Sequence, residues 1–137
     1  MPYKLAIVAS EYNSVIMDRL IAGAKRALKD HEHATIRVPG SFELPLAAKR
    51  AALSKKYDGV VALGCVLRGE TPHFEYISGA VSNGLEQVAL ETGVPIGFGV
   101  LTVNTVQQAM ERCGESGNKG FEAAATALEM INVLRQI

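Results

Sequence analysis

The sequence lacks the features that mark several large classes of protein. Lys and Arg balance Asp and Glu at 14 each, so the formal net charge is zero and composition predicts no basic face for nucleic acid. No hydrophobic run is long enough to span a bilayer. The short apolar run of MPYKLAIVASEYN is broken by Glu11 and predicts neither a signal peptide nor a membrane anchor. We therefore expect a small, roughly neutral partner, without nucleic acid or membrane.

Cysteine is also scarce. Only Cys65 and Cys113 are present, far apart in the chain and outside any CxxC or Cys/His pattern. This spacing supports neither a zinc site nor a disulfide framework. We expect two reduced thiols, no bound metal and a cytoplasmic protein.

What the sequence does have is a regular alternation of strand and helix patterns. The 137 residues are 48% hydrophobic with only five prolines, which predicts one folded domain over residues 1–137 rather than a disordered chain. Short apolar or β-branched runs at 4–9, 34–38, 59–65 and 95–103 predict strands, and the segments between them carry apolar residues at helical spacing. A capping box at 105–108 predicts a fourth helix that ends at Gly114, and residues 118–137 predict a fifth.

This alternation determines the expected fold. It requires parallel strands joined by right-handed crossovers, with helices on both faces of the sheet. We predict an α/β fold, a three-layer αβα sandwich around a four-stranded parallel sheet in the flavodoxin-like order 2-1-3-4. Ligands of such sheets bind at the carboxyl ends of the strands, in the crevice where the strand order reverses. The loops there are SEYN, PGSFELP, VLRGETPHF and TVNT, and the first three carry polar and aromatic residues suited to a ligand site.

The third of these loops has the pattern of an anion site. Thr71 followed by Pro72 predicts a helix start, with a capping hydroxyl and then a residue that has no N–H to leave unpaired. The backbone amides of Gly69, Glu70 and Thr71 would then present donors suited to a phosphate, and His73 in the first turn could move protons nearby. The alternative is that Thr71 and Pro72 only cap a helix and that His73 is a surface residue.

Four longer motifs carry a resemblance to a known family. VPGSFELP, GCVLRGETPHFEY, GFGVLT and NKGFEAA, in this order over most of the chain, resemble the 6,7-dimethyl-8-ribityllumazine synthases of riboflavin biosynthesis. The resemblance implies condensation of 5-amino-6-(ribitylamino)uracil with 3,4-dihydroxy-2-butanone 4-phosphate, releasing phosphate and water, with no metal or organic cofactor.

The resemblance also implies roles for individual residues. His73 corresponds to the general acid/base, and Tyr12 to the aromatic residue that stacks on the pyrimidine, where Phe or Trp is more usual. Ser41 corresponds to a substrate-binding hydroxyl, although it could equally serve as the N-cap of the second helix. The substrate-binding positions implied within one subunit are Tyr12, Asn13, Gly40, Ser41, Glu43, Val66, Leu67, Gly69, Glu70 and Thr71.

Phe98, Arg112 and Lys119 correspond to residues that the family takes from a neighbouring subunit. Arg112 follows Thr105 by seven residues, so a continuous helix would carry it about 10 Å toward the amino-terminal side of the sheet. It would then point away from its own crevice, and its guanidinium could bind phosphate only in a neighbour. The alternative for Arg112 is a solvated cation at a helix end.

The resemblance further implies a homopentamer with shared active sites. Some members of the family assemble twelve pentamers into a 60-subunit icosahedral shell. The short linker RCGESGNKG and the brief segment before the first strand leave a lone pentamer and a shell as alternatives here. Two other functions stay open: a non-catalytic protein that binds flavin or ribityl ligands, and a cage-forming scaffold that has lost activity.

Overall fold

The computed structural model describes residues 2–137, in which four strands alternate with five α-helices. The strands are β1 (Lys4–Ser10), β2 (Glu32–Val38), β3 (Gly59–Leu67) and β4 (Ile96–Val103). The helices are α1 (Ser14–Ala27), α2 (Leu44–Leu53), α3 (His73–Thr92), α4 (Val106–Glu111) and α5 (Lys119–Arg135), and a short 3₁₀ turn, Ser41–Glu43, precedes α2. Over residues 2–137, no helix combines the length and the apolar character needed to cross a membrane.

The sheet confirms the predicted architecture. All pairings are parallel and the strand order is β2-β1-β3-β4, with Leu5 opposite Gly59 and Val60 opposite Ile96. The two central strands, β1 and β3, are buried along almost their whole length. This is expected where helices cover both faces of a parallel sheet.

Side chains that alternate along β1 enter two separate hydrophobic cores. Leu5 and Ile7 pack in the core beneath α1 and α5. Ala6 and Val8 pack on the opposite face, in the core beneath α2 and α3. The two faces of one strand therefore support the two outer helical layers, as the period of two along a strand requires.

Two glycines allow α5 to approach its neighbours closely. A Cβ added to Gly120 would overlap the backbone carbonyl oxygen of Leu20 in α1. A Cβ added to Gly97 in β4 would overlap the carbonyl oxygen of Ala123. In both places the obstacle is backbone rather than the end of a flexible side chain, so neither contact can relax by a change of rotamer.

The predicted boundaries of α4 were right at its start and wrong at its end. The Thr105 hydroxyl accepts a hydrogen bond from the Gln108 N–H at 3.1 Å, as the capping box requires. The helix ends at Glu111 rather than at Gly114, and Arg112 occupies its C-cap. The Arg112 carbonyl already accepts a hydrogen bond from the Lys119 N–H at 2.8 Å. The chain thus turns toward α5 before it reaches Gly114.

We predict that Gly120→Ala destabilises the fold because the added methyl group would force α5 away from α1. Overpacking of a rigid contact costs about 1–3 kcal/mol, which a shift of the urea unfolding midpoint measures. Gly114→Ala is the matched control, since its methyl group would meet nothing closer than the Ser116 carbonyl oxygen at 3.8 Å. Equal midpoints for the two variants would contradict the prediction.

Candidate active site

A large crevice lies at the carboxyl ends of the strands, where the strand order reverses between β1 and β3. Its volume is about 610 Å³, within the range of small-molecule sites. The loops after β1 and β2, the end of β3 and the first turns of α3 form its walls. The lining residues are Tyr12, Pro39, Gly40, Ser41, Phe42, Glu43, Cys65, Val66, Leu67, His73 and Ile77.

The loop after β1 brings an exposed aromatic ring to the crevice. Tyr12 is 64% exposed, which leaves its ring face open to a planar ligand. The next residue, Asn13, has left-handed backbone angles, with φ of 62°. Its side-chain amide nitrogen is buried and has no hydrogen-bond partner. Asn13 occupies the N-cap position of α1 without forming a side-chain cap.

The loop after β2 supplies a hydroxyl and a carboxylate. Ser41 is buried and its Oγ occupies the space beside Gly64, where a larger residue on β3 would collide with it. The alternative role of Ser41 as the cap of the second helix is wrong, because the 3₁₀ turn intervenes and no side-chain cap forms. Glu43 follows in the same turn, exposed on the crevice wall.

The start of α3 differs in detail from the prediction. The helix begins at His73 with Pro72 in the N-cap position, and no side chain caps it. The Pro72 carbonyl accepts from the Glu75 N–H at 3.1 Å, so proline itself, with φ of −71°, begins the turn. Thr71 is therefore not the cap, and its hydroxyl stays exposed. His73 lines the crevice.

Residues 69–71, here called the phosphate loop, have unused hydrogen-bond donors. None of their three backbone amides donates to another group within residues 2–137. A Cβ added to Gly69 would meet nothing within 4 Å. Free amides beside a helix start are suited to an anion.

Arg68, immediately before the phosphate loop, contacts three neighbouring side chains. Its Nε donates to the Asn104 Oδ1 at 2.7 Å, its Nη1 donates to Glu75, and its guanidinium lies 4.3 Å from the centre of the Phe74 ring. The hydrogen bond from Arg68 lowers the pKa of the Glu75 carboxyl. Arg68 is therefore a structural cation in this chain, and it does not line the crevice.

A second, smaller cavity of about 220 Å³ lies against β4. It brings together the three residues predicted to serve a neighbouring subunit: Phe98, Arg112 and Lys119. Phe98 is 49% exposed on the edge strand of the sheet. Arg112 donates to the Gln108 carbonyl at 2.9 Å, and Lys119 lies 3.1 Å from a Glu122 carboxylate oxygen. None of the three lines the crevice of its own chain.

The predicted residues thus fall into three sets. Those that line the crevice are Tyr12, Gly40, Ser41, Glu43, Val66, Leu67 and His73. Asn13, Gly69, Glu70 and Thr71 lie beside it in the chain without lining it, and Phe98, Arg112 and Lys119 lie at the second cavity. Sequence reasoning missed Pro39, Phe42, Cys65 and Ile77. Phe42 could have been found as an aromatic residue between two predicted substrate-binding residues, Ser41 and Glu43. Ile77 could have been found as an apolar residue one helical turn after His73.

Both cysteines are free and buried, and Cys65 also contributes to the crevice wall. Burial raises the pKa of the Cys65 thiol from 9.0 to about 11, with a further rise from the neighbouring Cys113. Burial also raises the pKa of Cys113, although Arg19 partly opposes this. Both thiols are therefore protonated near neutral pH and are poor nucleophiles there.

Fold and site together define a class of protein. A parallel sheet with a polar and aromatic crevice at its switch point, a carboxylate, an imidazole and a loop of free amides is typical of α/β enzymes that act on small phosphorylated molecules. Within residues 2–137, no three His, Cys, Asp or Glu side chains form a group that could hold a metal ion.

Comparison with known proteins identifies the family. A family model described as 6,7-dimethyl-8-ribityllumazine synthase matches residues 2–135. Two relatives named 6,7-dimethyl-8-ribityllumazine synthase, from the DP4 and Hildenborough strains of Nitratidesulfovibrio vulgaris, are each 54% identical to this chain over 140 residues. The match covers 98% of this chain and 90% of each relative. The chain belongs to the 6,7-dimethyl-8-ribityllumazine synthase family.

The raised pKa of Cys65 predicts a loss of stability at high pH. The folded state holds the thiol proton up to about pH 11, whereas the unfolded chain releases it near 9.0. The folded state therefore binds more protons between these values, and the free energy of unfolding falls as pH rises through them. We expect the urea midpoint to fall more steeply from pH 9 to pH 11 in the natural protein than in Cys65→Ala. Parallel pH curves would contradict this.

Proposed function

We propose that the crevice is where this member of the lumazine synthase family condenses 5-amino-6-(ribitylamino)uracil with 3,4-dihydroxy-2-butanone 4-phosphate. The products are 6,7-dimethyl-8-ribityllumazine, phosphate and water. The observation that carries the proposal is the convergence of an open aromatic ring, a hydroxyl, a carboxylate and His73 on one crevice, beside a loop of free amides.

The uracil substrate binds between the loops after β1 and β2. The exposed rings of Tyr12 and Phe42 can pack on its planar heterocycle. Ser41 and Glu43 offer a hydroxyl and a carboxylate to the ribityl chain, a polyol that needs such partners for its orientation. The backbone of Val66 and Leu67, at the end of β3, borders the ring edge, and the free amide nitrogen of Asn13 lies nearby in the chain.

The phosphate of the second substrate binds the phosphate loop. The free amides of Gly69, Glu70 and Thr71 provide donors, and the start of α3 adds the positive end of a helix dipole. Because α3 has 20 residues, this dipole is fully developed. The butanone carbonyl then lies between the phosphate loop and the uracil amine.

His73 moves protons in this reaction. The 5-amino group of the uracil attacks the ketone and one water leaves to give an imine, after which phosphate is eliminated. The ribitylamino nitrogen then attacks the second carbonyl formed by that elimination, and a second water leaves as the ring closes. Each step needs a proton added to a leaving oxygen or removed from nitrogen or carbon, and a single imidazole can serve in turn as base and acid. The rest of the rate gain comes from holding two reactive molecules in the productive geometry.

The phosphate needs cations that the crevice of one chain lacks. The only charged residue among its lining side chains in the described part of the chain is Glu43. Phe98, Arg112 and Lys119 instead gather at the second cavity, on the β4 side. This separation supports an assembly in which each crevice is completed by a neighbour's second cavity. The resemblance to the family makes that assembly a homopentamer, with a lone pentamer and a 60-subunit shell as the alternatives.

We assign the protein to the cytoplasm. Both cysteines are free and buried in the described part of the chain. Free buried thiols are typical of proteins that work in a reducing compartment.

We expect His73→Ala to slow turnover about 10- to 1000-fold without abolishing it, because one acid/base group usually contributes this much and positioning survives. Lumazine absorbance after mixing the two substrates, corrected for the uncatalysed reaction, measures the rate. His33→Ala, exposed on the edge strand β2, is the control. If the natural protein is no faster than the uncatalysed reaction, catalysis is excluded. Binding of riboflavin would then favour a ligand-binding protein, and assembly without riboflavin binding would favour a scaffold.

Co-assembly of two variants with lowered activity tests the shared site. If His73 and Arg112 act from different subunits, mixing His73→Ala with Arg112→Ala chains in one ring restores both groups at about a quarter of the sites, by random neighbour pairing. Differently tagged chains, co-expressed and purified through both tags, provide the mixed rings. Activity no greater than that of the separately assembled variants would show that both residues act within one chain.

A further inference from the structure

Arg68 lies at a junction of three structural elements. It follows β3 directly, and its own N–H donates to the Val103 carbonyl of β4 at 2.9 Å. Its guanidinium contacts Phe74 and Glu75 at the start of α3, and Asn104 at the start of the connection to α4. We call Arg68 and these three side-chain partners the Arg68 cluster.

The partners of Arg68 are themselves held in place. The Asn104 N–H donates to the Gln108 Oε1 at 2.7 Å, and the Thr105 hydroxyl caps the same turn. Phe74 is buried in the core beneath α3. A guanidinium that binds in two directions and stacks on a ring in a third has little freedom to move.

The phosphate loop between these fixed points is not held by contacts of its own. Its amides donate to no group among residues 2–137, and a side chain at Gly69 would meet nothing within 4 Å. The position of the loop therefore depends on its two ends. Arg68 fixes one end directly, and through Phe74 and Glu75 it also fixes the first turn of α3 on the other side.

We infer that Arg68 is a positioning residue that sets the distance between the phosphate loop and His73. This inference rests on the proposed function of that loop. The guanidinium of Arg68 is already bound to Asn104, Glu75 and the Phe74 ring, so it acts through the loop rather than on the substrate. Its loss should weaken binding of the phosphorylated substrate and slow proton transfer, while binding of the uracil substrate is left nearly unchanged.

Three variants and one control test this inference. Arg68→Ala removes the cluster, Arg68→Lys keeps the charge but not the two-directional fork, and Glu75→Gln keeps the shape but not the ion pair. Lys49→Ala is the matched control, because Lys49 pairs with Glu91 at the far end of α3. The side chains of that pair are 45% and 47% exposed, against 46% and 52% for Arg68 and Glu75.

We expect Arg68→Ala to lower kcat/KM for the butanone phosphate about 10- to 100-fold, the size typical of small misplacements of reacting groups. The KM for the aminouracil should change less than about twofold, and the urea midpoint should change no more than in Lys49→Ala. Arg68→Lys should recover only part of the loss. Equal rises in both KM values, or full rescue by lysine, would overturn the inference.

A binding measurement separates this inference from the proposed reaction. Calorimetry with inorganic phosphate reports on the loop even if the natural protein shows no turnover. Weaker phosphate binding in Arg68→Ala or Glu75→Gln than in Lys49→Ala would support the positioning role. Equal phosphate affinity in Arg68→Ala, Glu75→Gln and Lys49→Ala would refute it. So would an active natural protein whose Arg68 and Glu75 variants all have the same kcat/KM as Lys49→Ala. If Arg68→Ala fails to fold, Glu75→Gln, which changes no volume, gives the decisive result.

Discussion

The parallel pairing of β1 with β3 is the contact on which the site depends. The connection after β1 runs to β2 on one side, and the connection after β3 runs to β4 on the other side. Helix α1 accordingly packs on one face of the sheet and α3 on the opposite face. The loops that leave β1 and β3 therefore diverge and open a crevice between them. Tyr12 and His73 reach this crevice from opposite sides because of that divergence, not because of any contact between them.

The charged groups that face the crevice of one chain do not by themselves suit a phosphate. One carboxylate and one imidazole face it, while the charge of Arg68, beside the phosphate loop in the chain, is paired with Glu75. The cations of the second cavity stand beside the exposed edge of β4. A doubly negative phosphate held by amides alone would be weakly bound in water. Under the proposed function, the phosphate would therefore draw on the cations of a neighbouring chain.

Sequence patterns predicted the fold and most of the crevice, because alternation of strands and helices constrains topology strongly. The misses are local. Thr71 and Ser41 both have the residue type of a helix cap, yet Pro72 and a 3₁₀ turn take over those roles. Helix starts depend on backbone angles and competing hydrogen bonds within one turn, which residue type indicates only weakly. Phe42 was missed for a related reason, because its exposure depends on the path of that turn.

The Arg68–Glu75 pair shows why a half-exposed ion pair can matter to function while contributing little to stability. Such pairs typically contribute about 0–1 kcal/mol to folding, because water competes for both charges. The same geometry, however, fixes the end of a loop whose own amides are unpaired. A displacement of about 1 Å in reacting groups costs far more in rate than the pair gives in stability. The backbone amides that would touch phosphate donate to no group within residues 2–137. The position of the loop therefore depends on the residues at its two ends.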